Sequence, residues 1–355
     1  MPKFPTFALM IKIGPVELGE FPLLLAPMED VSDPPFRKLC KANGADMVYT
    51  EFISADGLIY EAKKTFQKLE IFDYERPVGI QYFGGQLENM IGAASIIEAK
   101  NPDVIDINFG CPVAKVACRM AGAGLLRDID KMVELTAAIV KTTSRPVTVK
   151  TRLGWDDSTI NILEVAERLQ DVGIQALSIH ARTRAQMYKG EANWEWIAKV
   201  KNNPRMHIPI FGNGDVDSPQ KALEYRNRYG PDGIMIGRAS IGYPWIFREI
   251  KHYFATGQLL APPTIEERVA AARQHLTDSL AWKGIKLGVL EMRRHYAPYF
   301  KGLPDIKPFR ARLVTEMEPA TLFAILDEIA SVYADLDFAL TDEQMAPETS
   351  EYCDA

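Results

Sequence analysis

Short apolar segments alternate with helical patterns along the first two thirds of the chain. These segments are rich in Val, Ile and Leu, and they lie at 23–28, 47–52, 78–83, 104–109, 147–152, 176–181, 208–212 and 233–237. Strands that alternate with helices form a parallel sheet, and eight such units are the number found in a TIM (β/α)₈ barrel. A doubly wound open sheet is the alternative, but no G-x-G-x-x-G motif follows the first strand.

A different pattern begins after the eighth segment. From about residue 264 to residue 340 the apolar positions recur with helical spacing, and Pro262-Pro263 followed by Thr264-Ile-Glu-Glu is typical of a linker and a helix N-terminus. We therefore predict a catalytic α/β barrel domain at 1–255 and a small all-α helical-bundle domain at 262–340. The acidic segment 341–355 is predicted to be a disordered tail.

Polar residues cluster where the predicted strands end, which is the edge of a TIM barrel that carries the active site. Any one of them could be a satisfied core group, but packing alone does not explain polar groups at the same end of all eight strands. They are Glu29, Glu51, Gln81, Asn108, Lys150, Arg152, His180, Arg182, Asn213, Asp215 and Arg238.

The last two strand ends suggest a phosphate site. FGNGDV follows the seventh strand and IGRA the eighth, and the glycines Gly214 and Gly237 allow backbone N–H groups to approach an anion. Arg238 adds guanidinium donors, and these two loops are the usual phosphate site of the barrel fold. Two simple glycine turns are the alternative.

Two residues inside the predicted barrel match a flavin. An inward Lys150 is costly unless it meets an anion or an electron-rich ring, and reduced flavin carries negative charge that a cation stabilises. Gln81 offers one donor and one acceptor, which suit the N3–H and O4 edge of the flavin. For His180 by itself, a structural hydrogen bond in the core is the favoured interpretation.

Composition narrows the class of protein. No run approaches the roughly 18 apolar residues of a membrane span, and the N-terminus lacks signal-peptide anatomy, so we expect a cytoplasmic protein. The cysteines Cys40, Cys111, Cys118 and Cys353 are too scattered for a disulfide framework or a zinc site, and we predict no metal. A net charge of −6 argues against a surface coated in basic charge, although a local basic face remains compatible with it.

Seven segments occur in order between about residues 20 and 250, and the N-x-G-C-P sequence with its downstream A-G-x-G is the most specific. They are LAPMEDVSDPPFRKLCKANGAD, PVGIQYFGG, DINFGCPVAKVACRMAGAGLL, VKTRLGWDD, IHARTRAQMYKG, IFGNGDV and GIMIGRA. Together they resemble the tRNA-dihydrouridine synthase family, in its bacterial B-type branch. MRRHYAPYFKGLPD in the helical part resembles the family more loosely.

The resemblance implies an enzyme whose barrel at 1–255 binds FMN, is reduced by NADPH and reduces uridines in tRNA, which the helical domain helps to grip. It implies Cys111 as the active cysteine. Two positions depart from the family: Glu29 stands where a small residue is usual, and Ala117-Cys118 replaces a polar-basic pair. The implied flavin contacts are Pro27, Met28, Glu29, Gln81, Lys150, His180, Asn213, Gly214, Asp215, Gly237 and Arg238.

Saturation of the uracil C5–C6 bond requires a hydride at C6 and a proton at C5. Reduced flavin supplies the hydride, and a general acid within hydrogen-bond reach must supply the proton. Cys111 lies on the loop that follows the fourth strand. Its side chain is mostly a thiol at neutral pH, and a proton donor must be protonated. Cys118 is the rival, but no strand end anchors it. Lys150, Arg152 and His180 could hold the uracil carbonyls, and the base must first leave its stack.

A basic surface from the barrel mouth to the helical domain is predicted to hold the RNA, with a solvated helix face as the alternative. The predicted substrate contacts are Asn108, Arg152, Arg182, Arg184, Arg293 and Arg294, joined by Lys189, Lys301, Lys307, Arg310 and Arg312 and by the aromatic residues Tyr188, Tyr296, Tyr299 and Phe300. Other functions stay open: the same reaction on ribosomal RNA, an FMN barrel acting on a small molecule, or a catalytically silent RNA-binding protein. We expect a monomer. The sequence leaves open which uridines are modified and whether NADPH or NADH is preferred.

Overall fold

Eight parallel strands form the centre of the molecule. The structure, a computed structural model, describes residues 10–336. The strands are β1 Leu23–Leu25, β2 Val48–Tyr49, β3 Val78–Phe83, β4 Val104–Phe109, β5 Val147–Arg152, β6 Ala176–His180, β7 Ile210–Asn213 and β8 Gly233–Ile236.

The sheet closes on itself. Neighbouring strands pair in parallel from β2 through to β8, and β8 pairs back with β1. The backbone N–H of Leu25 donates to the carbonyl of Met47 at 2.9 Å, which joins β1 to β2. The predicted TIM barrel is therefore confirmed. The bounds predicted for β3, β4 and β5 are those observed, whereas β1 ends early, because Pro27 has no N–H for the ladder.

Helices follow most of the strands and cover the barrel. Asp33 caps the first of them by accepting a hydrogen bond from the backbone N–H of Phe36 at 2.9 Å, and prolines occupy its first turn. The helices are α1 Pro34–Ala42, α2 Ala55–Ile59, α3 Lys63–Gln67, α4 Leu87–Glu98, α5 Ala114–Ala117, α6 Ile129–Thr142, α7 Ile162–Asp171, α8 Glu195–Lys201, α9 Pro219–Tyr229, α10 Ile246–Thr256, α11 Ile265–Tyr299, α12 Lys307–Thr315 and α13 Pro319–Val332.

Two smaller β elements lie outside the eight barrel strands. An antiparallel hairpin of Ile11–Ile13 and Val16–Gly19 precedes the barrel and was not predicted, because two such short strands carry almost no periodic signal. A two-residue strand, Ile53–Ser54, pairs with β3. None of the helices in the described part of the chain is both long and apolar enough to cross a bilayer.

Beyond Pro263 the described chain is helical, as predicted. Helix α11 is broken at Gly284, whose φ of +76° lies in a region that favours glycine, and the chain reverses there. A Cβ at Gly288 would lie 2.8 Å from the carbonyl oxygen of Ser279, so the two arms of α11 pack closely as a helical hairpin. The division into domains at 1–255 and 262–340 stays a prediction, and the predicted disordered tail at 341–355 lies outside the described residues.

The helical hairpin packs on α1, directly after the first barrel strand. The rings of His275 and His295 lie 4.5 Å apart, and the ring of Phe36 lies 5.0 Å from that of His295. Beside them the buried ammonium group of Lys283 pairs with Asp33 and with Glu291. This interface fixes the helical region next to the carboxyl end of β1.

Candidate active site

Strand register brings the predicted polar residues together at the carboxyl end of the barrel. Asn108 pairs with Lys150 across β4 and β5, Arg152 with His180 across β5 and β6, and His180 with Asn213 across β6 and β7. Residues paired in this way point to the same face of the sheet. Polar groups from four consecutive strands therefore share one site.

The backbone around Cys111 is held from several sides. The side-chain oxygen of Asn108 accepts hydrogen bonds from the backbone N–H of Gly110 at 2.9 Å and of Cys111 at 2.8 Å. The N–H of Ala123 donates to the carbonyl of Cys111 at 3.1 Å. A Cβ at Gly122 would lie 3.1 Å from the Cβ of Cys111. Burial raises the pKa of the Cys111 thiol, so it stays protonated at neutral pH.

A buried chain of hydrogen bonds orients Asn108. Its amide N–H donates to the carbonyl oxygen of Gln81 at 2.7 Å, and the Gln81 amide donates to Asp106 at 2.5 Å. The hydroxyl of Thr148 donates to the other oxygen of Asp106, also at 2.5 Å. Burial raises the pKa of Asp106 to about 6, although the bonds from Gln81 and Thr148 act against it.

This series of hydrogen bonds includes two residues that the sequence interpretation missed. Asp106 and Thr148 interrupt the apolar pattern of β4 and β5, and that interruption was the available signal. These hydrogen bonds use one N–H and one lone pair of the Gln81 side-chain amide. One N–H and one lone pair of Gln81 therefore remain for a ligand. The predicted contact of Gln81 with a flavin stays a prediction.

Among residues 10–336, Lys150 is the cation of the site without a hydrogen-bonded or ion-pair partner. It is partly buried, and its ammonium group makes no hydrogen bond or ion pair with any other residue in the range 10–336. Burial, together with the neighbouring Arg152, lowers the pKa of Lys150 to about 8, while Asp106 and Cys111 act in the opposite direction. Such a group favours an anionic or electron-rich ligand.

Arg152 and Arg182 are buried and bind backbone carbonyls of the surrounding loops. Arg152 donates to the carbonyl of Gly110 at 2.8 Å and through Nη1 to that of Met187 at 2.8 Å. Arg182 donates to the carbonyl of Lys189 at 3.2 Å. Each residue is 2% exposed. This placement supports the loops, and the predicted contacts of both arginines with the substrate stay predictions.

The loops after β7 and β8 meet at Asp215. Its carboxylate accepts hydrogen bonds from Arg182 at 2.7 Å, from Arg238 at 3.2 Å and from the backbone N–H of Ala192 at 2.8 Å. Although burial acts in the opposite direction, these donors lower the pKa of Asp215. The side chain of Arg238 is 47% exposed and thus reachable by a ligand.

Gly214 and His180 form the floor beside Asp215. Gly214 has a φ of +127°, and a Cβ there would lie 2.9 Å from the Cβ of Ala192 and 3.2 Å from Cδ2 of His180. The loop therefore requires glycine. Burial, reinforced by Arg152, holds the pKa of His180 well below its usual range, so the ring is neutral. Asn213 donates to the carbonyl of Met235 at 2.8 Å and ties β7 to β8.

The loop after β1 closes the other side of the site. Ser32 accepts a hydrogen bond from the N–H of Met28 at 2.8 Å, and a Cβ at Gly237 would lie 3.6 Å from the Met28 sulfur. Glu29 is the residue that departs from the family pattern. Its carboxylate pairs with Lys68 at 2.5 Å, and Lys68 also contacts Glu51 at 3.2 Å. The Glu29 side chain thus has a cationic partner outside the barrel core.

A family model for "Dihydrouridine synthase (Dus)" matches residues 24–331, which include both the barrel strands and most of the helical region. The chain belongs to the dihydrouridine synthase family. This result confirms the family predicted from the sequence and, with it, the class of enzyme.

Relatives of similar length agree with that family. The chain is 40% identical over 303 residues to tRNA-dihydrouridine synthase B of Pseudomonas aeruginosa, covering 85% of this chain and 90% of that protein. It is 38% identical to a probable tRNA-dihydrouridine synthase of Rickettsia prowazekii, covering 91% and 98% of the two chains.

Solved structures of lower similarity support the fold alone. The histamine dehydrogenase of Rhizobium sp. 4-9 superposes with a TM-score of 0.51 at 13% identity, and the match covers 76% of this chain. The 6-hydroxypseudooxynicotine amine oxidase of Pseudomonas geniculata N1 gives a TM-score of 0.55 at 14% identity over the same share. The chain spans about half the length of both proteins, 50% and 52%.

In this dihydrouridine synthase, the structure corrects one part of the predicted RNA surface. Tyr296, Tyr299 and Phe300 are 0% exposed, so the prediction that they stack on RNA bases is wrong. They lie on the inner side of the helical hairpin and form the core of the helical region. Tyr188, by contrast, is 45% exposed and lies 5.0 Å from the guanidinium of Arg238.

Three of the arginines predicted to bind RNA have partners within the protein. Arg184 donates to the carbonyl of Pro112 at 3.0 Å, and Arg293 contacts the sulfur of Met317 at 3.2 Å. Arg294 lies 3.5 Å from the carboxylate of Asp30, so it faces the barrel mouth. Their predicted contacts with RNA stay predictions.

Proposed function

We propose that this chain is an FMN-dependent tRNA-dihydrouridine synthase, which reduces the C5–C6 bond of uridines in tRNA with NADPH as electron donor. The observation that carries the proposal is the position of Cys111. Its backbone is fixed by Asn108 at the end of β4, beside the unpaired cation of Lys150. A protonated thiol next to a site for an electron-rich ring is the arrangement that this reduction requires.

The residues of the site suit both the ring and the phosphate of FMN. The ammonium group of Lys150 has no partner among residues 10–336, and it would meet the electron-rich ring. The exposed guanidinium of Arg238 would bind the phosphate, together with backbone N–H groups of the loops that contain Gly214 and Gly237. Pro27, Met28, Glu29, Gln81, His180, Asn213 and Asp215 complete the proposed contacts. When bound and reduced, FMN supplies the hydride for C6.

Residues of this chain would deliver the proton that is added at C5 of the uracil. Cys111 would donate it to C5, and its thiol is available because burial raises its pKa. The bonds from Gly110 and Cys111 to Asn108 fix the direction in which the loop leaves the strand. His180 is neutral and can donate one hydrogen bond to a uracil carbonyl without adding a second charge.

The names of the relatives favour tRNA over ribosomal RNA as the substrate, and this substrate would place the protein in the cytoplasm. A small-molecule substrate is less favoured, because the helical hairpin packs beside the barrel mouth, where a large ligand could use it. Flavin absorbance of the purified protein would argue against a catalytically silent RNA-binding protein.

Two cysteine variants test the proposal. Cys111→Ala should bind flavin and oxidise NADPH at near-normal rates, but it should oxidise the reduced flavin with tRNA about 10²- to 10⁴-fold more slowly, because C5 lacks its acid. Cys118→Ala is the matched control, since Cys118 is exposed and should affect neither step. Single-turnover oxidation of pre-reduced enzyme by tRNA measures the difference. A slow Cys118→Ala with a normal Cys111→Ala would overturn the assignment.

A further inference from the structure

The segment that follows Cys111 makes few apolar contacts of its own. Val113 is 48% exposed, Cys118 is exposed, and Ala117 is the buried residue of the short helix α5. Segments with little buried apolar surface are easily displaced. Beyond the contacts already described at Cys111, polar contacts to its backbone therefore contribute to the position of this segment.

Two arginines bind this segment near its two ends. Arg184 donates through Nε to the carbonyl of Pro112 at 3.0 Å, one residue after Cys111. Arg127 donates through Nη2 to the carbonyl of Ala117 at 3.4 Å and lies 3.5 Å from the sulfur of Met120. The two contacts with carbonyl groups do not depend on the side chains at positions 112 and 117, so they fix the position of the backbone.

The same two guanidinium groups lie over one indole ring, that of Trp155. The guanidinium carbon of Arg127 is 4.1 Å from the ring centroid, and that of Arg184 is 4.6 Å from it. Tryptophan offers the best aromatic face for a cation, and arginine is the cation found there more often than lysine. We name Trp155, Arg127 and Arg184 together the Trp155 cluster.

The backbone fixes Trp155 independently of the Cys111 segment. The N–H of Arg184 donates to the carbonyl of Gly154, and the N–H of Ala185 donates to that of Trp155, both at 2.9 Å. A Cβ at Gly154 would lie 2.4 Å from the carbonyl oxygen of Thr159, so the chain is tightly packed there. The backbone that carries the indole is thus held without the Cys111 segment, and the ring contacts both of the arginines that bind this segment.

We propose that Trp155 is a positioning residue for Cys111. It holds Arg127 and Arg184 in the orientation that binds the carbonyls of Pro112 and Ala117, and it thereby keeps the Cys111 thiol buried and aimed at the substrate. The effect on RNA reduction rests on the proposed function, whereas the effect on the accessibility of Cys111 does not.

The test compares Trp155→Ala with Trp155→Phe, which keeps an aromatic face. Trp196→Ala is the matched control, since Lys199 lies 4.0 Å from the Trp196 ring in helix α8, away from the Cys111 segment. Alkylation of Cys111 by iodoacetamide, followed by peptide mass spectrometry in the RNA-free holoenzyme, reports on the position of the segment. Single-turnover oxidation of reduced flavin by tRNA reports on the reaction.

Trp155→Ala should be alkylated at Cys111 about 5- to 30-fold faster and should reduce tRNA more slowly by a similar factor. NADPH oxidation by the flavin should be unchanged. Trp155→Phe should restore most of both properties, and Trp196→Ala should match the wild type in each. Arg184→Gln provides a second variant that should expose Cys111 in the same way if Trp155→Ala fails to fold.

Three results would overturn or separate the ideas. Unchanged alkylation of Cys111 in Trp155→Ala would refute the positioning role, whatever the activity of the variant. If this variant also lost tRNA reduction, the result would point to direct contact between Trp155 and RNA. Faster alkylation with normal tRNA reduction would refute it too, provided that Cys111→Ala is slow. If Cys111→Ala also reduces tRNA normally, the proposed function of Cys111 has failed while its positioning by Trp155 stands.

Discussion

Lys283 offers a quantitative test of how the helical region is mounted on the barrel. Its side chain is 6% exposed and pairs with Asp33, 5% exposed, and with Glu291, 22% exposed. Although burial lowers it, the net pKa of Lys283 is raised, because Asp33 and Glu291 stabilise the cation. The variant Lys283→Met keeps most of the side-chain volume but leaves two carboxylates without their shared cation.

We expect Lys283→Met to lower the free energy of unfolding by about 3–5 kcal/mol, the usual cost of removing one partner from a buried ion pair. Lys38→Met is the matched control at the same interface. Lys38 pairs with Asp278 at 3.0 Å but is 43% exposed, so its loss should cost at most about 1 kcal/mol. Urea unfolding followed by tryptophan fluorescence measures both variants, since Trp282 lies in this interface and donates to Glu70.

The pH dependence separates charge from packing. Burial raises the pKa of Glu291, and loss of Lys283 would raise it further. A carboxyl group whose pKa is raised in the folded state adds stability below its unfolded pKa and loses it as the pH rises through the folded value. The deficit of Lys283→Met should therefore be smaller at pH 5 than at pH 7.5. A deficit that is below 1 kcal/mol, or that does not vary with pH, would refute the reasoning.

Four further predictions concern the cofactor, the RNA and acid stability. Lys150→Ala and Arg238→Ala should each purify with less flavin, as absorbance will show, because each removes a cation from the site. Because the pKa of Lys150 is about 8, FMN affinity measured by titration should fall between pH 7 and pH 9, and Lys150→Arg should remove this dependence. Truncation before Pro262 should weaken tRNA binding and flatten its salt dependence in filter-binding assays, while flavin stays bound. Burial lowers the pKa of His275 from 6.5 to about 3, so on acidification this ring is protonated in the unfolded chain before it is protonated in the folded protein. The melting temperature should therefore fall as the pH drops below about 6.5.

The amino-acid sequence was sufficient for features that depend on neighbouring residues. The bounds of β3, β4 and β5 were predicted as observed, because apolar and β-branched residues dominate each strand and a proline precedes it by one or two positions. The position of Cys111 just beyond the end of β4 followed from the same pattern and from the glycine and proline that flank the cysteine.

Partners of charged groups could not be predicted in this way. Lys283 and Asp33 are 250 positions apart, and their contact depends on the reversal of α11 at Gly284 and on the packing of the hairpin against α1. The same reversal turns Tyr296 and Tyr299 inward, so aromatic residues that looked available for RNA form a core.

The arginines of the site show the physical reason most directly. From the sequence, Arg152 and Arg182 were free cations at strand ends, suited to an anionic substrate. In the barrel each meets backbone carbonyls that loop geometry has left without a donor, and a buried guanidinium must bind such groups to offset its loss of water. Lys150 lies in the same ring of strands and has no such partner in the described part of the chain. A local pattern records which residues are polar, but only the closed barrel decides which of them are satisfied by the protein and which are left for a ligand.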